Sequence, residues 1–184
     1  MPALLVVVSG PPASGKSTLA RELASGLGIA QVSKDLVKET LYDALAGDGP
    51  RPERLDEAAF ALLLRLADAQ LRAGVPFVIE SDFDRDSNLD PVLELARRHD
   101  VRLVQVHCQR ARERLLAHFA ERAESGERHP VHDDDASDVP DLGRDLDRGR
   151  WAPLELPGEL IEIDDDAPDF SSEDVLRRIL ARAE

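Results

Sequence analysis

GPPASGKST, residues 10–18, decides how the rest of the chain is read. Ahead of it, ALLVVVSG (residues 3–10) is an unbroken apolar run closed by glycine, as in a strand buried on both faces of a parallel sheet. Behind it, Leu19, Leu23 and Leu27 recur at helical spacing until Gly28 stops the pattern. Gly10, Gly15, Lys16 and Ser17 satisfy G-x-x-x-x-G-K-[ST], and the strand before and helix behind are the context that this motif requires. The expected phosphate cradle is Gly10, Pro11, Pro12, Ala13, Ser14, Gly15, Lys16, Ser17 and Thr18. Its glycines let backbone N–H groups curl round a β-phosphate while the helix N-terminus adds positive potential. Lys16 is expected to reach the β- and γ-oxygens, Ser17 to ligate magnesium and Thr18 to support the α-phosphate.

Strand and helix patterns alternate along the remainder. IAQVSKD (29–35), PFVIES (76–81), VRLVQVHC (101–108) and GELIEID (158–164) read as further strands. LVKETLYDAL (36–45) reads as a helix up to the breaker GDGPRP (47–52). Another carries Phe60, Leu64, Ala67 and Leu71 on one face, and NLDPVLELARRHD (88–100) forms a third. A charged helix, RARERLLAHFAERAES (110–125), precedes a Pro-, Gly- and Asp-rich tract at 126–153 that shows little to bury. SSEDVLRRIL (171–180) closes the chain with a capping-box-like start at Ser171 and Asp174. Such alternation implies right-handed crossovers and a parallel sheet covered on both faces.

With 184 residues, 42% of them apolar, the chain suits one domain spanning 1–184. No basic lead or cleavage site precedes the first strand, and no apolar run reaches membrane-span length, so a soluble cytoplasmic protein with no membrane partner is expected. Cys108 is the only cysteine, which excludes an internal disulfide and suits a packing role at a strand end. The formal charge of −14 opposes binding to nucleic acid or anionic lipid and favours a small or cationic substrate.

Asp35 falls just past the second strand, at the carboxyl edge where ligands of parallel sheets bind. A carboxylate there can take the proton of an attacking hydroxyl and touch magnesium through water, and it can also cap the helix that follows. Glu80, Ser81 and Asp82 end FVIESDFD (77–84), where they suit either magnesium or a polyol or amine substrate. There is no N-K-x-D guanine reader. Arg122 and Arg128 flank the passage from helix to tract and are the candidate lid cations. Arg110, Arg112 and Arg114 read as a solvated face offset by Glu113 and Glu121. RHPVHDDD (128–135) brings His129 and His132 close to three aspartates, as either a zinc site or a lid contact, with the contact favoured because no partner cluster stands elsewhere.

The chain resembles the zeta-toxin and chloramphenicol-phosphotransferase-like group of small P-loop kinases, among them bacterial "AAA family ATPase" proteins. The residues that carry the resemblance span nearly its whole length: GPPASGKSTLARELA, VSKDLVKETLYDAL, VIESDFD, ERAESGERHPVHDD and GRWAPLELPGELIEID. It implies ATP binding at Lys16 and Ser17, a base at Asp35, and phosphate contacts from the lid arginines Arg122 and Arg128. Two departures stand out: His118 occupies a place where that group often has a lid arginine, and Val131 one where it commonly has glycine. The fold expected is a three-layer α/β P-loop NTPase with a five-stranded parallel sheet ordered 2-3-1-4-5 and a helical lid near residues 110–150. Adenine is expected beside residues 164–168, with Arg110 or Arg114 stacked nearby. The expected reaction moves the γ-phosphoryl group to a hydroxyl of a small molecule such as an antibiotic, sugar or nucleoside. The alternatives are a regulatory module or slow ATPase without an acceptor, and a kinase of nucleic-acid 5′-hydroxyls, which the charge opposes.

Overall fold

The computed structural model describes residues 2–45, 52–126, 128–164, 166–167 and 171–181. The expected breaker at 47–52 lies almost wholly outside them. Five strands, β1 (Leu4–Ser9), β2 (Ala30–Ser33), β3 (Phe77–Glu80), β4 (Arg102–Gln109) and β5 (Glu159–Asp164), form one parallel sheet in the order β2-β3-β1-β4-β5. Val6 lies between Val78 of β3 and Val104 of β4 in register.

Alternation along β1 sorts the core into two layers. Val6 and Val8 face α1 (Lys16–Leu27) and α7 (Ser172–Ala181), packing with Leu19, Leu23, Val175 and Ile179. Leu5 and Val7 face α3 (Pro52–Arg72) and α4 (Arg85–His99), packing with Leu63, Ala67, Val92 and Leu95. The architecture is the three-layer P-loop fold. Cys108 is buried in the first of these layers. In α3 the innermost face is Leu55, Ala59, Leu63, Ala67 and Leu71, so Phe60 and Leu64 sit half-buried at its flank. Ser171 Oγ accepts from the Glu173 backbone N–H at 3.2 Å at the head of α7.

The tract after α5 (Arg112–Ser125) departs from expectation. It contains two 3-10 turns, Pro130–His132 and Ala136–Asp138, and a helix α6 (Val139–Asp147). Leu142 of α6 and Trp151 join Leu115 and Phe119 of α5 in a third buried cluster, flanked by Val139 and Leu146. The apolar residues recur at helical spacing there, but intervening Asp, Arg and Gly dilute the pattern. Among the described residues no helix is long and apolar enough to cross a membrane.

Candidate active site

The cradle turns between β1 and α1 through backbone conformations that restrict its sequence. Gly10 has φ of 142°, and a Cβ there would stand 2.2 Å from the Cys108 carbonyl oxygen, so the close approach of β4 requires glycine. Gly15, at φ 85°, precedes α1, and Ala13 also has positive φ at 64°. Such a loop aims its N–H groups inward. Lys16 Nζ folds back to donate to the Pro11 carbonyl at 3.4 Å. The Ser14 hydroxyl is fully buried, packs against Gly10 and has no hydrogen-bond partner among the described residues. Arg21, which sequence reasoning missed, donates to Thr18 Oγ1 at 3.3 Å and to the Ser17 carbonyl at 3.1 Å.

Ser17 Oγ donates to Glu80 Oε1 at 3.2 Å, at the end of neighbouring β3. Glu80 is buried, and its other oxygen has no hydrogen-bond partner. Burial raises the Glu80 pKa, against the opposing pull of Lys16. A hydroxyl and a carboxylate with a spare oxygen, beside a cradle for phosphates, fit a magnesium ion held by few protein ligands and substrate oxygens. No grouping of three or more His, Cys, Asp or Glu suited to a metal occurs among the described residues, the His129 and His132 stretch included.

Asp35 lies in the first turn of α2 (Lys34–Ala44) and not at its cap, a position held by Ser33. Burial would raise its pKa, but Lys16, His132, Arg128 and Lys34 outweigh that and lower it, so the carboxylate is ionised at neutral pH. Arg128 Nη2 donates to Asp35 Oδ2 at 3.3 Å. Arg128 and Arg122 also share Asp134, at 2.8 and 3.1 Å from its Oδ2. One aspartate therefore holds two like-charged guanidiniums together, a role that sequence did not single out. His132 bonds Glu39 at 2.8 Å and His129 bonds Asp43 at 3.1 Å, so both histidines fasten the Pro130–His132 turn to α2. Val131 between them is buried.

Of the three residues expected to seat an acceptor, one lines a cavity. Glu80 faces Ser17, and the Ser81 hydroxyl is buried and donates to Asp82 at 2.9 Å. Asp82 opens onto a cavity of about 450 Å³ that Lys34, Asp56, Phe60, Asn88 and Arg150 also line. Lys34 Nζ donates to Asp82 at 2.9 Å and to Asp56 at 3.3 Å. Burial disfavours charge on Asp82, yet Lys34 and Lys16 hold it far below the usual carboxylate range. Lys34 is raised in turn, with Asp82 and Asp56 outweighing burial.

Arg112 and Arg114 are exposed, as expected of a solvated face, whereas the Arg110 side chain is largely buried, and each pairs with an aspartate outside α5. Arg112 forms a two-bond pair with Asp147 of α6, at 3.0 and 3.2 Å. Arg110 and Arg114 meet Asp166 at 3.2 and 3.4 Å, and Arg110 also bonds His118 and the Ala13 carbonyl, the latter at 3.3 Å. The cradle, the start of α5 and the turn after β5 therefore adjoin, where adenine was expected. Asp165 and Pro168 of that turn lie outside the described residues.

A candidate kinase from Chloroflexus aurantiacus J-10-fl superposes with a TM-score of 0.88 at 29% identity, covering 98% of both chains. A sugar kinase from Janibacter sp. HTCC2649 gives 0.63 at 20% identity, over 98% of this chain and 94% of that one. Chaetomium thermophilum Kti12 in complex with ADP-AlF3 gives 0.63 at 18%, over 96% and 97%. Among curated proteins no sequence matches. The motif that opens this chain and strands β2, β3 and β4 of the sheet behind it lie within residues 5–142, which match the AAA domain family, and the chain belongs to that family.

Proposed function

We propose that the chain is a magnesium-dependent kinase of the zeta-toxin and chloramphenicol-phosphotransferase type, moving the γ-phosphoryl group of ATP to a hydroxyl of a small molecule. The observation that carries this reading is the placing of ionised Asp35 within the field of Lys16 and in contact with Arg128, at the carboxyl edge of the sheet. The cradle of residues 10–18 would hold the triphosphate, with Lys16 on the β- and γ-oxygens. Magnesium, held through Ser17 with Glu80 and Asp35 alongside, would neutralise phosphate charge. Arg110 and Arg114 would flank the adenine.

The acceptor would enter the cavity beside Asp82 and present its hydroxyl to Asp35. The hydroxyl proton passes to an Asp35 oxygen as the acceptor oxygen bonds the γ-phosphorus. The bond from γ-phosphorus to the β,γ-bridging oxygen breaks, and ADP leaves with its electron pair. Arg122 and Arg128, held by Asp134, stabilise the charge spread over the γ-oxygens. Moving Arg128 from Asp35 to those oxygens would also free the base. The folds shared with the Janibacter sugar kinase and the Chloroflexus candidate kinase support this reading.

Acceptor-stimulated ADP release from wild type and Asp35→Asn tests it. The asparagine variant should bind Mg·ATP within about threefold of wild type and lose about 100-fold or more in turnover. Equal turnover in both proteins would favour a nucleotide-binding module or slow ATPase instead.

A further inference from the structure

The cavity beside Asp82 has a charge pattern that bears on what it accepts. Its lining holds four carboxylates, Asp56, Glu57, Asp82 and Asp84, against two cations, Lys34 and Arg150. Both cations are already committed. Lys34 serves Asp82 and Asp56, while Arg150 donates to Asp84 at 2.6 Å and to Asp145 at 2.7 Å. Lys38, just behind, is tied to Asp56 at 3.3 Å. Counting Lys38 and Asp145, the direct outer partners of the lining, leaves the same excess of two negative charges, and the exposed Arg148, 3.7 Å from Asp145, would reduce it to one. Glu57 is exposed on α3 and has no ion-pair partner among the described residues.

An acceptor bearing a carboxylate or phosphate would enter this excess and find each cation shared between two carboxylates. An ammonium group meets the opposite situation, with Glu57 open and Asp56 and Asp82 able to share their charge with it. Phe60 and Pro91 supply an apolar wall for the carbon skeleton, and Ser87 and Asn88 offer hydrogen bonds to further hydroxyls. Resting on the kinase reading above, we infer that the acceptor is an amine-bearing alcohol, such as an amino sugar or aminocyclitol, and that the carboxylates around Lys34 select against hydroxy acids.

The test measures ADP release at pH 7 and saturating Mg·ATP, with panels of amino alcohols, neutral polyols and hydroxy acids matched in size. The highest kcat/KM should fall among the amines, about tenfold or more above counterparts that lack the amine, with no stimulation by the acids. A best acceptor among the acids, or a neutral polyol matching its amine, overturns the inference and leaves the kinase reading intact. Stimulation by no class at all overturns both. The second arm is Glu57→Lys, an exposed position where a thermal unfolding midpoint close to wild type establishes folding. It should lower kcat/KM for amines about tenfold while leaving neutral polyols within about twofold. Equal effects on both classes would also overturn the inference.

Discussion

Gly10 lies where β1 must pass beneath the carbonyl of Cys108, and its φ of 142° is open to few other residues. Gly10→Ala is expected to destabilise the protein by about 1–3 kcal/mol in urea unfolding, because the added methyl meets backbone and not a movable side chain. It should also weaken Mg·ATP binding, since the cradle begins at that residue. Residues 10–18 were legible because their chemistry is local: the glycines, lysine and serine act within one turn. Lys34, Asp134 and Arg21 were not, because their meaning lies in partners. Lys34 meets Asp82 and Asp56 across 48 and 22 positions, and Asp134 gains its role only when Arg122 and Arg128 converge on one oxygen. A lone lysine or aspartate in an acidic chain carries no such signal.

At the scale of elements, α5, α6 and Trp151 form a packed body with its own small core. Leu142 is 6% exposed among Leu115, Phe119 and Trp151, and Arg112 ties α5 to α6 through Asp147. Leu142→Ala should cost about 2–4 kcal/mol by the loss of buried methyl groups. Hydrogen exchange should show the loss concentrated in α5 and α6, with β1, β3 and β4 keeping their protection. Uniform acceleration across the sheet would count against a separately packed α5–α6 body. Strands β1, β3 and β4 were readable as apolar runs because both of their faces are covered. The amphipathic helix α6 was not, because a nine-residue helix with Asp at both ends and a glycine within it presents only a thin apolar stripe.

Across the whole molecule, the sheet that carries the site also carries a pH liability. His107 of β4 is buried beneath the cradle, where it bonds Ser9 at 3.0 Å, and burial lowers its pKa to about 4. An unfolded histidine takes its proton near pH 6.5. The folded state therefore binds fewer protons between these values, and stability should be full above about pH 6.5 and fall as pH drops toward 4. The loss amounts to roughly 3 kcal/mol, and His107→Gln should flatten the slope of unfolding free energy against pH in that window. The overall architecture followed from the order of strands, helices and breakers, which fixes handedness and layering once one strand is recognised as central. The cavity beside Asp82 did not follow, because it is assembled from α2, α3, α4 and the chain beyond α6, whose mutual placement no local pattern encodes.

The account depends on a triphosphate held by the turn after β1, with Asp35 facing it as a separate chemical group. Calorimetric titration of wild type, Lys16→Ala and Asp35→Asn with Mg·ATP tests that division of labour directly. Wild type and Asp35→Asn should bind with similar affinity, and Lys16→Ala should bind at least about tenfold more weakly. No heat of binding from wild type, or undiminished binding by Lys16→Ala, would contradict it.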